Sequence, residues 1–357
     1  MEGFGPRPAT TTVLGVFTVV FELVSFCLDG GFCPTRKTCR HAESSGESSV
    51  VSPMRIVVTG GAGFLGRHVA ETVLEAGHEC VVFDAAPIGG DLAAAGARQA
   101  RGCLSSIDDL RDAFRGADAV LHLAGVGDVY LAATKPWLAA EANVVGTTNL
   151  AEACVAEGVR RVVYASTWEV YGHPSYEPLD ERHPTDPDHP YNITKLAGER
   201  MLFAYDRLRD LPVVALRLGT AYGTGMRDNS VFSVFIKRAL RGEPITVSGD
   251  GLQHRQFTHA SDIGRAFLDA ARSDLRNAVM NIVADETVTI RDLAEMIVAE
   301  APTALSFGAP RPGDISPARV SSAKARDLLG WEPRVGFARG LRDLIEHHRA
   351  ALEASHA

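Results

Sequence analysis

Three side chains with proton-transfer chemistry lie between positions 167 and 195. Tyr191 and Lys195 are four residues apart at the head of an apolar, helix-like run, so they are predicted to share a helix face. An ammonium beside a phenol favours the phenolate, lowers a pKa that starts near ~10, and suits a base that removes an alcohol proton. Thr167 adds a hydroxyl from the end of a predicted strand. Because a Tyr-x-x-x-Lys spacing also occurs on ordinary solvated helix faces, the rest of the chain must supply a hydride acceptor.

A glycine-rich turn at residues 60–66 indicates where that acceptor binds. The turn reads Gly-Gly-Ala-Gly-Phe-Leu-Gly, follows a β-rich run at 55–59 and precedes a helical pattern at 68–76. In a strand–turn–helix–strand unit, such glycines let backbone N–H groups and a helix start approach a pyrophosphate. A second predicted strand ends in Asp84, where a carboxylate binds a ribose diol and repels a 2′-phosphate. The unit therefore predicts a dinucleotide site that favours NAD over NADP.

Apolar runs at residues 119–125 and 161–166 predict two further strands that alternate with helices. This alternation predicts an α/β fold with a doubly wound parallel sheet, and ligands bind beyond the carboxyl ends of such strands. The formal net charge of −8 gives no reason to expect nucleic acid as a partner. No spacing of metal ligands is present in the sequence, so no metal is expected.

Residues 1–53 differ from the rest of the chain. The apolar run at 13–28 is short for a membrane span and no basic cluster precedes it, and a Ser- and Glu-rich stretch follows. We expect a leader, disordered or a non-native extension, with the functional protein beginning near Met54 and no membrane partner. Three of the six cysteines fall in this leader, and the scattered Cys80, Cys103 and Cys154 are predicted to be packing residues in a reducing cytoplasm.

Several motifs, taken together, resemble those of the extended short-chain dehydrogenase/reductase family, in its nucleotide-sugar epimerase/dehydratase branch. They are residues 59–66, the His-Leu-Ala-Gly run at 122–125, Asn143, Thr-x-x-Val-Tyr-Gly at 167–172, and Tyr-x-x-x-Lys at 191–195. The resemblance continues through Gly-Asp-Gly at 249–251, Arg-Gln-Phe-Thr-His at 255–259 and Arg-Pro-Gly-Asp at 311–314, and covers about residues 54–348 in family order.

The resemblance implies a role for each matched residue. Tyr191 would take the proton of a sugar 4-hydroxyl, Thr167 would hydrogen-bond the same oxygen, and Lys195 would bind the nicotinamide ribose and lower the Tyr191 pKa. Arg255 and Arg311 would bind the substrate diphosphate, because guanidinium groups match phosphate oxygens. The NAD contacts implied are Gly60, Gly63, Phe64, Leu65, Gly66, Asp84, Leu123, Ala124, Asn143, Tyr191 and Lys195. Residues 102–106 depart from the acidic pair that the family places near adenine, and Arg217 is expected to be structural, beneath the sheet.

The reaction depends on the two residues after Thr167. The chain reads Thr167-Trp168-Glu169, where dehydratases of the family typically carry Thr-Asp-Glu. The leading interpretation is a nucleotide-diphosphate-sugar 4-epimerase, with a UDP-sugar favoured. The alternatives are a UDP-glucuronate decarboxylase or an atypical dehydratase that uses Glu169 as a catalytic base and, outside enzymes, an inactive NAD-binding sensor.

The resemblance also implies an overall organisation. We expect an NAD-binding Rossmann-type domain at residues 54–224 and a smaller mixed α/β substrate domain at 225–350, partly interleaved with the first. A homodimer through helices near residues 143–158 and 191–209 is expected, with a nucleotide-diphosphate sugar as the small-molecule partner.

Overall fold

The computed structural model describes residues 52–309 and 318–356. The strands in chain order are β1 (Arg55–Thr59), β2 (Glu79–Asp84), β3 (Arg98–Arg101), β4 (Ala119–His122), β5 (Val162–Thr167), β6 (Val213–Leu218), β7 (Thr220–Tyr222), β8 (Ile245–Ser248), β9 (His254–Arg255), β10 (Phe257–His259), β11 (Ala278–Ile282), β12 (Val288–Thr289) and β13 (Leu305–Gly308).

Twelve α-helices are present in the same part of the chain. They are α1 (Phe64–Glu75), α2 (Gly90–Ala94), α3 (Ile107–Phe114), α4 (Val129–Thr134), α5 (Pro136–Ala140), α6 (Gly146–Ala156), α7 (Pro190–Arg209), α8 (Val231–Leu240), α9 (Ala260–Arg272), α10 (Ile290–Glu300), α11 (Ala323–Leu329) and α12 (Phe337–His356). A π-helical turn at Glu141–Val145 runs directly into α6, and a 3-10 turn at Trp168–Tyr171 follows β5.

Seven parallel strands form the central sheet, in the order β11-β6-β5-β4-β1-β2-β3. The strands β1, β4, β5 and β6 are apolar along most of their length and buried, as expected when helices cover both faces. From β1 the chain adds β2 and β3 on one side, and it then adds β4, β5 and β6 on the other side. The strand order therefore reverses between β1 and β4, and in open α/β sheets ligands bind at the carboxyl ends of the strands beside such a reversal. The predicted doubly wound α/β fold is confirmed.

The two faces of the sheet carry separate cores. On one face α1 packs against α9, with Val69 and Phe267 among the buried side chains. On the other face α3, α6 and α7 contribute Leu110, Leu150 and Leu202. The helix that follows the glycine turn, α1, and the helix that carries Tyr191 and Lys195, α7, thus pack on opposite faces of the same sheet.

Small sheets and an aromatic cluster lie after the sixth strand. β7 pairs with β10, β8 with β13 and β9 with β12, while β11 joins the central sheet. Tyr222 stacks on Phe232 with ring centroids 5.3 Å apart, and Phe257 stacks on Phe337 at 5.4 Å. The domain boundary at residue 224 stays a prediction.

Some expectations fall outside the described residues, and one is wrong. The leader, with its apolar run at 13–28 and three of its cysteines, and the diphosphate residue Arg311 lie outside them. Across 52–309 and 318–356 no helix has both the length and the apolar character to cross a membrane. Cys80 and Cys154 are buried packing residues as predicted, but Cys103 is exposed because the turn after β3 leaves it at the surface.

Candidate active site

A cavity of about 1170 Å³ opens at the carboxyl ends of the central strands. Its wall includes the turn between β1 and α1, the ends of β2, β4 and β5, the start of α7, and residues from 218 to 232. The volume exceeds the upper range of a single small-ligand pocket, which is roughly 1,000 Å³. The cavity is therefore large enough for more than one ligand, as a cofactor and a substrate require.

The glycine turn forms one end of this cavity with no side chain in the way. Gly60 has φ +71° and a Cβ there would lie 2.7 Å from the Ala124 backbone nitrogen. A Cβ on Gly66 would lie 2.1 Å from the Gly60 carbonyl oxygen, so α1 packs directly on the turn. Gly63 begins α1 without a side-chain cap, which leaves the first N–H groups of the helix to a bound anion.

Asp84 lies at the end of β2 and lines the cavity. Its carboxylate accepts backbone hydrogen bonds from Ala62 at 3.1 Å and Ala86 at 2.9 Å. These contacts fix the carboxylate beside the glycine turn, where the sequence predicts the adenosine ribose. Next to it the cavity is lined by the segment that lacks the acidic pair of the family: Gly102, Cys103, Leu104 and Ser105.

The three proton-transfer residues meet at the opposite part of the same cavity. Thr167 ends β5 and caps the 3-10 turn by accepting a hydrogen bond from the Glu169 backbone N–H at 3.3 Å. Tyr191 and Lys195 lie one helical turn apart at the start of α7, which opens with Pro190 at its first position. Thr167, Tyr191 and Lys195 all line the cavity, and the Thr167 side chain lies close enough to the Tyr191 phenol to lower its pKa.

The surroundings of Tyr191 act on its pKa in a direction that the sequence does not predict. Burial raises the pKa of the Tyr191 phenol, and the negative charge of Glu169 raises it further. The hydrogen bond to Thr167 and the charge of Arg227 act in the opposite direction. The expected lowering of the Tyr191 pKa by its protein neighbours is thus wrong, because desolvation of the phenol outweighs the favourable charges.

The Lys195 side chain is buried beside an aromatic ring. Its Nζ lies 4.3 Å from the centroid of the Tyr164 ring, a cation–π contact. Burial lowers the pKa of Lys195 to about 7, and the Glu199 carboxylate opposes that shift. Beneath it, burial and the Lys195 charge lower the pKa of His122 to about 3, so this imidazole is neutral between Thr59 and Thr147.

Asn143 lies behind the cavity wall. Its side chain pairs with the Val126 backbone, accepting from the N–H at 2.8 Å and donating to the carbonyl at 3.0 Å. It also donates to the Thr194 hydroxyl at 3.1 Å. These contacts tie the loop after β4 to α7, so the structure places Asn143 where it supports two walls of the cavity.

The two residues after Thr167, Trp168 and Glu169, have different neighbours. Trp168 is half-buried against a small apolar cluster that includes Tyr171 and Leu179, away from the residues that line the cavity. Burial raises the pKa of Glu169, while the charge of Arg255 lowers it. Glu169 and Arg255 therefore lie close to one another, and neither is part of the cavity wall.

Two residues of the site were missed by the sequence analysis. Arg227 lines the cavity and its Nη1 donates to the Asp128 carboxylate at 2.5 Å, which joins two loops 99 residues apart. Glu199 lies one turn beyond Lys195 on the same helix and forms a buried ion pair with Arg217 at 2.7 Å. The i+4 spacing after Lys195 was a signal for Glu199, and the predicted structural position of Arg217 is confirmed. No local signal marks Arg227.

The residues present fit a dinucleotide. The turn has no Cβ at Gly60, Gly63 or Gly66, an uncapped helix start faces it, and the Asp84 carboxylate lies alongside. Phe64, Leu65, Leu123 and Ala124 also line the cavity. Within residues 52–309 and 318–356, no group of acidic, His and Cys side chains could hold a metal ion.

Comparisons with known proteins agree with this geometry. The family model for the NAD dependent epimerase/dehydratase family matches residues 56–282. The chain is 33% identical to a UDP-glucose 4-epimerase of Streptomyces lividans, covering 82% of this chain and 96% of that protein. It is 30% identical to UDP-glucuronic acid decarboxylase 1 of Danio rerio, covering 84% of this chain and 73% of that protein.

A solved structure with the same fold is MoeE5, in complex with UDP-glucose and NAD. It has a TM-score of 0.77 and 35% sequence identity over 84% of this chain and 99% of MoeE5. MoeE5 has also been solved with UDP-glucuronic acid and NAD, at the same TM-score and identity.

Proposed function

This chain belongs to the NAD-dependent epimerase/dehydratase family, and from that premise we propose that it is a nucleotide-diphosphate-sugar 4-epimerase, with a UDP-sugar as substrate. It is an enzyme of this family, and its cofactor is NAD. One observation carries the proposal: Thr167, Tyr191 and Lys195 line the same cavity as the glycine turn and Asp84. A group that takes a proton from an alcohol thus shares a cavity with a dinucleotide site.

When bound, NAD supplies a hydride acceptor and, once reduced, a hydride donor at C4 of the sugar. Tyr191 takes the proton of the 4-hydroxyl and returns a proton after the keto sugar has presented its other face. Thr167 holds the same oxygen through its hydroxyl, which lies near the Tyr191 phenol. The Lys195 ammonium binds the nicotinamide ribose, and Asp84 binds the adenosine ribose.

The residues after Thr167 bear on the choice between epimerisation and the alternatives. A decarboxylase or dehydratase mechanism asks Glu169 to act on the sugar at C5, and the Glu169 carboxylate lies close enough to Tyr191 to raise the pKa of that phenol. Trp168 packs against the apolar cluster around Tyr171 and carries no acid group. We therefore assign Glu169 an electrostatic effect on Tyr191 and keep it as a catalytic base only in the alternative reaction.

The sugar itself has two candidates. UDP-glucose and UDP-glucuronate, with which MoeE5 was solved, differ only in the group at C6. Arg227 lines the cavity near Tyr191, but its guanidinium already pairs with the Asp128 carboxylate. A uronate carboxylate would have to compete with Asp128 for this guanidinium, so Arg227 favours neither sugar. Arg255 and Arg311 are proposed for the diphosphate.

A panel of nucleotide sugars tests the proposal. The enzyme with NAD is incubated with UDP-glucose, UDP-galactose and UDP-glucuronate, and the products are followed by NMR. The proposal predicts interconversion of C4 epimers with C6 intact. Release of CO₂ or a 6-deoxy-4-keto product would replace it with the decarboxylase or dehydratase alternative, and a protein that binds NAD but turns over no sugar would indicate the inactive sensor.

We also propose that the protein acts as a homodimer in the cytoplasm. Val145, Ile193 and Leu208 are apolar side chains that are 54%, 48% and 80% exposed on the helical segments predicted to form the interface. Large exposed apolar side chains on neighbouring helices favour an interface with another protein surface. The three free cysteines of the described chain are compatible with a reducing compartment.

A further inference from the structure

A buried carboxylate links the two structural elements that carry the reacting groups. Glu199 lies on α7 four residues after Lys195 and eight after Tyr191, so the three residues share one side of the helix. Its side chain is fully buried. A buried carboxylate is costly unless several donors satisfy it, which makes its partners informative.

Three donors from two neighbouring strands meet this carboxylate. The Ser166 hydroxyl donates to Oε2 of Glu199 at 2.8 Å, and the Arg217 guanidinium donates to Oε2 at 3.1 Å and to Oε1 at 2.7 Å. Ser166 and Arg217 are directly opposite one another in the β5–β6 register. Ser166 immediately precedes Thr167, so the contact fixes α7 to the sheet one residue from the Thr167 hydroxyl.

Glu199 forms an ion pair with one of two nearby cations. Arg217 pairs with it and stacks over the Tyr171 ring at 4.7 Å, while Lys195 lies over the Tyr164 ring at 4.3 Å. The charge of Glu199 raises the pKa of Lys195, against the larger effect of burial. We propose that Glu199 is a positioning residue for the reaction: it fixes the Tyr191 and Lys195 helix to the Thr167 strand. The proposal rests on the proposed function for its catalytic meaning.

Among the charged and titratable groups around Lys195, Glu199 is the one whose charge raises the pKa of Lys195. His122 on β4 and Tyr164 on β5 are uncharged at neutral pH, because burial lowers the first pKa to about 3 and raises the second. On α7 itself, burial raises the pKa of the Tyr191 phenol. Other charged groups on the elements and loops packed around α7 are Arg217, Glu169, Glu141, Glu152, Asp128, Lys135 and Arg227.

Two variants separate the charge of Glu199 from the packing around it. Glu199→Gln keeps the shape of the side chain but removes the negative charge, so the Lys195 ammonium should lose its proton at lower pH. Arg217→Lys keeps a positive charge opposite the carboxylate, so Glu199 should stay ionised and the Lys195 midpoint should stay near that of the wild type. A general loosening of the buried cluster would shift the Lys195 midpoint in both variants.

Competitive acetylation of Lys195 over a pH series, read by mass spectrometry, measures this directly and needs no nucleotide sugar. We expect the labelling midpoint of Glu199→Gln to fall by about one pH unit or more, a shift typical of losing a nearby opposite charge. The midpoint of Arg217→Lys should stay near that of the wild type. With substrate, the alkaline limb of kcat in Glu199→Gln should move in the same direction as its labelling midpoint, and Glu199→Gln should lower kcat more than it changes KM.

Equal midpoints in the wild type and Glu199→Gln, or an equal fall in both variants, would overturn the proposal. Should Glu199→Gln fail to fold, as judged by circular dichroism, Glu199→Asp keeps the charge but shortens the reach to β5 and β6, and an unchanged kcat in that variant would overturn it. If the wild type epimerises no sugar while the Glu199→Gln midpoint falls alone, the proposed function fails and the role of Glu199 beside Lys195 remains.

Discussion

At the scale of single residues, the sequence predicts which groups carry the chemistry at Tyr191 but not how their surroundings shift the pKa of the phenol. The Thr167 side chain acts to lower the pKa of the phenol, yet burial and Glu169 raise it. Reading the pair from the sequence predicts that Lys195 favours the phenolate, whereas the structure shows Lys195 itself perturbed to a pKa of about 7. Desolvation cannot be read from a spacing of four residues, which is why the identity of the groups was predicted and their energetics were not.

Tyr191→Phe should remove the proton acceptor and leave the fold intact. Loss of a general acid–base group typically costs about 10²–10⁴ in rate, and we expect kcat to fall within that range with little change in the melting temperature. Steady-state kinetics with the active UDP-sugar and a thermal melt check this. Tyr130→Phe is the matched control, since Tyr130 is 73% exposed and is not part of the cavity wall. Full activity in Tyr191→Phe would contradict the assignment.

Asp84→Asn should weaken the preference for NAD over NADP. The carboxylate is held beside the glycine turn by Ala62 and Ala86, and its charge is what repels a 2′-phosphate. Calorimetric titrations with NADH and NADPH should give a ratio of dissociation constants at least about tenfold closer to unity, or about 1.4 kcal/mol. Asp91→Asn is the control, because Asp91 is an exposed carboxylate paired with Arg67. A ratio that stays at the wild-type value would leave Asp84 without a role in cofactor choice.

At the scale of elements, the sequence predicted those strands, turns and helices whose geometry depends on neighbouring residues in the chain. The run at 55–59, the glycine turn and the helix at Tyr191 were recognisable because strand alternation, φ-permissive glycines and helical spacing act over a few residues. The link between Glu199 and the β5–β6 pair was not, since it depends on a register between Ser166 and Arg217 that forms only in the folded sheet. The Arg227–Asp128 contact was missed for the same reason.

Gly66→Ala tests how closely α1 packs on the glycine turn. Helix propensity alone predicts that replacing a helical glycine by alanine stabilises a protein by about 0.5–1 kcal/mol. Here the added Cβ would lie 2.1 Å from the Gly60 carbonyl oxygen, so we expect destabilisation of about 1–3 kcal/mol instead. Urea unfolding measures the sign. Gly90→Ala is the control, because no atom lies within 4 Å of the new Cβ at this helix position, and it should not be destabilised in this way. A stabilised Gly66→Ala would contradict the prediction and show that the turn can move.

At the scale of the whole molecule, one parallel sheet brings all parts of the site to a single edge. The carboxyl ends of β1, β2, β4 and β5 deliver the glycine turn, Asp84, the Leu123–Ala124 segment and Thr167 to the same cavity. The predicted fold class followed from strand–helix alternation, but the packing of the strands after residue 224 did not, because short strands such as β9 and β12 carry little periodicity.

A homodimer is expected in solution, with a mass twice the 38.2 kDa of the chain. The double change Ile193→Glu and Leu208→Glu places charges on exposed apolar positions of α7 and should yield a monomer, because buried unpaired charges disfavour an interface. Light scattering coupled to size exclusion measures the mass. Leu252→Glu, at a position that is 56% exposed outside those helices, is the control. A wild-type monomer would contradict the proposal, as would a double variant that stays dimeric.

The central claim is that C4 of the sugar is oxidised and reduced again without chemistry at C5 or C6. The most direct measurement uses a UDP-hexose carrying deuterium at C4, incubated with the enzyme and NAD in ordinary water and analysed by NMR and mass spectrometry. We predict inversion at C4, retention of the deuterium at that carbon, and C5 and C6 unchanged. Loss of C6 as CO₂, loss of the C6 oxygen, or exchange of the C5 hydrogen with solvent would contradict it.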